Sequence, residues 1–339
     1  MDTKNPTTNL IIGIATFGLT MLVAGVKLYR RHRMASFVSG AQDDVPGEVG
    51  IGNEKPGLVP DIPDTAETHK PSYANESQKN QPLTFFLLLF AITIPYWVFG
   101  GKSLPIPVKL PVSALAALNP MIAALILSYR QSGSKGIKKL FGRAFDYKKI
   151  KNPIWYIPTL LLPLLVYALS YVVMRWTGKP LPDPEIPLLM IPVLMGASFF
   201  FGIGEELGWM GYAIDPLQNR WGALKAAIFL GIIWGLFHLI PDLQNHQTAE
   251  WILWQRFGTM LLRVLMVWIY NNTGKSVFSS ILFHAANNLG WALFPNFGSH
   301  YDPFVTGVIL LVLTGVVVLG WDAKTLTRYR FSTQGHDKR

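Results

Sequence analysis

Long apolar runs alternate with short polar connections along this chain. The first run, Leu10 to Val26, is closed at once by Lys27, Arg30, Arg31 and Arg33. A polar interval follows. From residue 83 onward, apolar stretches of helical length recur as far as residue 321. Runs of roughly 18–20 apolar residues are what a helix needs to cross the hydrocarbon layer of a bilayer. The pattern predicts helices near 83–101, 110–129, 154–174, 188–214, 223–241, 257–272, 276–295 and 303–321. The expected fold is therefore all-α: a polytopic membrane helical bundle of about eight core spans, preceded by one N-terminal transmembrane helix.

The polar intervals sort the chain into parts. The basic cluster comes after the first apolar run, the reverse of a signal peptide, so residues 1–33 read as a membrane anchor. Residues 34–82 hold eight acidic residues, many Pro, Gly, Asn and Asp, and few aromatics. That composition predicts a flexible linker. Residues 83–321 form the helical domain, and 322–339 a basic tail. The interval from Arg130 to Lys151 carries eight Lys/Arg against one acid, Asp146, and the tail carries five more basic residues. With the predicted helices alternating across the membrane, twenty basic residues flank one side and five the other. By the positive-inside rule the basic side, with the C-terminus, faces the cytoplasm. A multi-pass protein of a bacterial plasma membrane is expected.

Composition narrows the classes further. Half of the residues are hydrophobic and only 15% are charged, against roughly 25% in soluble domains. Cysteine is absent, which excludes disulfides and thiol chemistry. The net charge of +10 is accounted for by the basic flanks. The expected partner is the lipid bilayer, with no nucleic acid.

Few polar side chains fall at membrane depth: Glu205, Glu206, His238, Arg263, His284, Asn287 and Asn288. An ionisable group there costs about 2.5–3.5 kcal/mol on insertion scales, so each is a candidate for function. Glu205 and Glu206 are adjacent and point about 100° apart on a helix. Two carboxylates this close in low dielectric are expected to titrate as a unit, with one held protonated more readily. A carboxylate poised near neutrality suits a general base; the plainer alternative is a Glu–Arg pair that only joins helices. His284 and Asn288 share a helix face at i and i+4 and could donate together to an oxyanion, or simply bond helices together. His238, taken alone, reads as a packing residue. By residue count Glu205 and His284 lie at similar depth, whereas His238 lies deeper and needs a kink or a shifted boundary to come level.

The stretches "EELGWMG", "WGLFH" and "HAANN" occur in this order. They resemble the motifs of the CPBP family of intramembrane proteases, which includes the type II CAAX prenyl endopeptidases and the bacterial Abi proteins. The family pattern is Glu-Glu-x-x-x-Arg, Phe-x-x-x-His and His-x-x-x-Asn. Here it falls on Glu205 and Glu206 with Met210 in the arginine position, on Trp234 and His238, and on His284 and Asn288. "NPMIAALIL", "GYAIDPLQNRWG" and "VWIYNNTGKSVFSSILFH" extend the resemblance over roughly 83–321. It implies a peptide hydrolase acting on a membrane-associated peptide or protein, lipidated or not. Glu205, helped by His238, would activate water. His284 and Asn288 would stabilise the oxyanion, and Glu206 would support them. The family has been described both as glutamate proteases and as metalloproteases. If a divalent metal such as zinc binds, its ligands would be Glu205, His238 and His284. Met210 cannot support a carboxylate as arginine does, and Arg263 is the candidate to replace it. Two other readings stay open: a non-catalytic membrane scaffold or immunity-type protein of the same fold, and a proton-coupled transporter using the glutamates as a relay.

Overall fold

The computed structural model describes residues 81–100, 112–184, 188–295, 298, 300–327 and 329. The expected anchor 1–33 and all but the last two residues of the expected linker 34–82 lie outside them. Helix α1 is Pro82–Val98. A 3-10 segment, Val112–Leu118, leads into α2, Asn119–Gly142. Helix α3 is Tyr156–Trp176 and α4 is Ile191–Gly208. A π-helical turn, Trp209–Ala213, joins α4 to α5, Ile214–Trp221. Helices α6 (Ala223–Gln244), α7 (Ala249–Asn272), α8 (Val277–Leu293) and α9 (Pro303–Gly320) complete the bundle. With α4, the π turn and α5 taken as one continuous helix, eight helical segments stand among the described residues, and no strand does. Six segments are long and apolar enough to cross a membrane. This is the expected polytopic helical bundle.

The distribution of apolar side chains fits a lipid solvent. Val312, Val316 and Leu319 on α9 are 62%, 60% and 69% exposed, an arrangement that water would penalise and lipid accepts. Inside, where lipid and side chain are equally apolar, close packing must hold helices together, and small residues permit it. Gly204 and Gly208 turn α4 toward the start of α2; a Cβ on Gly208 would lie 2.5 Å from the Pro120 carbonyl carbon. Gly231 and Gly235 do the same for α6 against α7, and a Cβ on Gly231 would lie 2.8 Å from Cα of Met260. These two contacts fix the helices that carry the candidate site.

Three boundaries differ from the sequence expectation. The basic interval Arg130–Lys151 is not a loop: α2 continues to Gly142 through a break at Ser132 and Gly133, and short 3-10 turns follow. Its Lys, Leu and Gln residues favour helix, and the Ser-Gly pair takes up the bend. Helix α7 starts at Ala249 rather than 257, because the Thr248 hydroxyl accepts the Trp251 N–H at 3.2 Å and caps it. The expected end at Ile214 is a π turn instead. In the π register the donor to the Gly211 carbonyl would be Pro216, which has no N–H. Arg143 Nη1 donates to that carbonyl at 2.6 Å.

Candidate functional site

Helices α4, α6, α7 and α8 each contribute a polar side chain to one buried cluster. Glu206 is fully buried. Arg263 on α7 meets it with two donors, Nη1 to Oε2 at 2.6 Å and Nη2 to Oε1 at 3.2 Å. His284 Nδ1 lies 2.8 Å from the same Oε1. A buried charge is tolerated only when paired and hydrogen-bonded, and Arg263 meets that condition for Glu206. The position that Met210 leaves without a cation is thus supplied from another helix.

Glu205 is treated differently. Its Oε2 accepts the indole N–H of Trp234 at 2.6 Å and that of Trp209 at 3.3 Å. These donors orient the carboxylate without neutralising it. Its Oε1 accepts no hydrogen bond among the described residues and faces His284 Nε2 at 3.9 Å.

Trp234 is the hub of the cluster. Besides bonding Glu205, its ring carries the Arg263 guanidinium 4.1 Å from the ring centroid. The two imidazoles lie against it, His238 at 5.7 Å and His284 at 5.5 Å between centroids. His238 Nδ1 is 2.9 Å from the Trp234 carbonyl. The proton therefore sits on Nδ1 when the ring is neutral, which leaves Nε2 as an acceptor.

The structure brings Glu205, Glu206 and His284 into direct register and adds His238 through Trp234. Asn288 is half-buried one turn beyond His284 on α8, with no hydrogen bond among the described residues. Neighbouring Asn287 accepts from the Tyr167 hydroxyl at 3.3 Å and ties α8 to α3. The apparent depth mismatch of His238 came from the misplaced helix end. The helical run continues to Trp221 before turning at Gly222, so Glu205 and His238 lie nearly equal numbers of residues on either side of that turn. Trp209 and Trp234 were not singled out as site residues. Their spacing was the available signal: Trp209 is four residues after Glu205, Trp234 is four before His238, and a carboxylate in lipid needs donors.

Metal binding asks for three converging ligands. Among the described residues no three His, Asp or Glu side chains form a group able to hold a metal ion. As placed, Glu205, His238 and His284 do not make the trio that zinc would require.

A lipid-facing helical bundle with a buried carboxylate–imidazole cluster defines a class: an integral multi-pass membrane protein. Comparison with known proteins narrows it. Residues 187–290 match the family described as type II CAAX prenyl endopeptidase Rce1-like. A CAAX prenyl protease 2 of Methanococcus maripaludis is 24% identical over 264 residues, covering 71% of this chain and 95% of that protein. Glu205, Glu206, His238, His284 and Asn288 all fall inside the matched segment. The resemblance to CPBP-family proteases read from the motifs is thereby supported by two independent matches, and this homology supports intramembrane protease activity in general terms.

Proposed function

We propose that the protein is an intramembrane endopeptidase that cleaves a membrane-associated, lipidated peptide of the CAAX prenyl type, using water activated at Glu205. The observation that carries this reading is the asymmetry of the Glu205 carboxylate. One oxygen is held by two indole N–H groups, and the other faces His284 Nε2 across 3.9 Å. A water at ordinary hydrogen-bond length, about 2.8 Å, from both atoms fits this gap.

Glu205 takes the proton as the water attacks the scissile carbonyl. His238, with Nε2 free to accept, assists the same water. His284 donates through Nδ1 to Glu206, so its protonated form presents Nε2–H to the developing oxyanion, beside Asn288. The proton then passes to the leaving amine. Glu206 and Arg263 hold His284 in orientation. No step passes through a metal. The basic ends and the C-terminus belong on the cytoplasmic side of the plasma membrane in this reading.

The non-catalytic scaffold reading drew its support from Met210. The pairing of Arg263 with Glu206 removes that ground. The test is cleavage of a prenylated peptide by the purified chain and by Glu205→Gln, each with and without a chelator. Cleavage by wild type, its loss in Glu205→Gln and insensitivity to chelator are expected. Undiminished cleavage by the variant would end the mechanism, and loss with chelator would require a metal.

A further inference from the structure

The basic interval between α2 and α3 carries more charge than the fold uses. After the break at Ser132 and Gly133, α2 presents Lys135 and Lys138 to the outside. The 3-10 turn Tyr147–Lys149 presents Lys148, and Lys151 lies exposed just beyond it. None of these four has an ion-pair partner among the described residues. The acids at this end are already engaged. Asp146 accepts the Ser276 hydroxyl at 2.8 Å and the Phe278 N–H at 3.1 Å, and pairs with Lys149 at 3.0 Å. Asp215 pairs with Arg143 at 3.6 Å and Lys275 at 3.0 Å.

Large apolar side chains stand exposed beside the lysines: Phe141 at 40%, Phe145 at 58% and Tyr147 at 50%. Phe145, Tyr147, Lys148 and Lys151 line a recess of about 510 Å³. Aromatics next to lysines at the end of a membrane span are suited to the headgroup layer, where rings insert and ammonium groups meet phosphate. Water alone would leave the rings unfavourably exposed, and a soluble anion would leave them without a partner.

We propose that this shelf, residues 135–151, is a binding surface for anionic phospholipid headgroups. It is joined to the helix that bears the site. Leu140 packs against Gly211 of the π turn, where a Cβ would lie 3.1 Å from its Cδ1. Arg143 holds the Gly211 carbonyl. Lipid seated on the shelf therefore steadies the segment that follows Glu205 and Glu206.

The test uses the full chain in nanodiscs of phosphatidylcholine alone or mixed with phosphatidylglycerol. Binding of labelled phosphatidylglycerol and thermal unfolding are the readouts, neither of which needs protease activity. Wild type binds phosphatidylglycerol in preference to phosphatidylcholine and gains thermal stability from it. The variant K135Q/K138Q/K148Q/K151Q binds it more than about a hundredfold more weakly, because the four charges that attract an anionic surface are gone. The matching four-arginine variant retains binding, which separates charge from a folding defect. Equal affinity for the two lipids, unchanged binding by the glutamine variant, or full displacement by inorganic phosphate or a soluble acidic peptide would overturn the proposal.

Discussion

The polar clusters around Asp215 and around Glu206, both among the described residues, are built on opposite plans. At the basic end the carboxylate of Asp215 is saturated, with both oxygens engaged. The Tyr270 hydroxyl donates to Asp215 at 2.9 Å and accepts from Arg143 at 2.6 Å, while Lys275 approaches Asp215 at 3.0 Å. At mid-depth, Glu206 is just as fully satisfied, but its neighbour Glu205 keeps one oxygen without a donor. Both clusters hold paired charge, partly exposed at the basic end and fully buried at Glu206, so an ion pair alone does not mark chemistry. The distinguishing feature is a carboxylate oxygen left without a hydrogen-bond donor among the described residues. The saturated cluster ties helices together, and the oxygen left open at Glu205 is the one the proposed chemistry uses.

The contrast breaks most visibly at Glu205. Glu205→Gln is expected to lower cleavage by roughly 10²–10⁴-fold, the usual contribution of a general base, while thermal unfolding in detergent shifts little. Unfolding on a comparable scale would place Glu205 with the saturated groups. Next comes Arg263→Met, which leaves Glu206 buried without a cation and should cost about 3–5 kcal/mol of stability. Adding Met210→Arg, which returns a cation one turn from Glu206, should recover part of that loss; no recovery would show that the arginine must come from α7. Trp234→Phe removes one charge-assisted bond to Glu205, worth roughly 1.5–3 kcal/mol. It should reduce kcat more than it raises KM, and a purely structural role would leave that ratio unmoved. The smallest effect belongs to the saturated cluster. Asp215→Asn should cost about 1–2 kcal/mol in thermal stability and leave cleavage near wild type; loss of cleavage without loss of stability would erase the distinction between the clusters.

Much of this was legible before any coordinates. The spans are set by hydrophobic run length, which lipid enforces residue by residue, so among the described residues eight helical segments appear where the pattern places them. The boundaries that slipped lie at polar ends. Thr248 starts α7 a full two turns early because capping operates outside the apolar pattern. Pro216 does not end its helix, because a π turn absorbs the missing donor and Arg143 takes the freed carbonyl. Arg263 was visible as an arginine at membrane depth. Its pairing with Glu206, 57 residues away, was not, because no short-range rule sets the facing of α7 against α4.

The sequence by itself determined a polytopic helical bundle and the short roster of ionisable residues within it, because the cost of placing polar groups in hydrocarbon depends on local composition. Only the tertiary structure decided which of those residues touch. Close approach at Gly231 sets α6 against α7, and at Gly202 it sets α4 against α8 beside Ile281 and His284. That facing puts Arg263 on Glu206, the Trp234 indole on one oxygen of Glu205 and His284 opposite the other. Such long-range juxtapositions follow from packing, and no periodicity within a single helix encodes them.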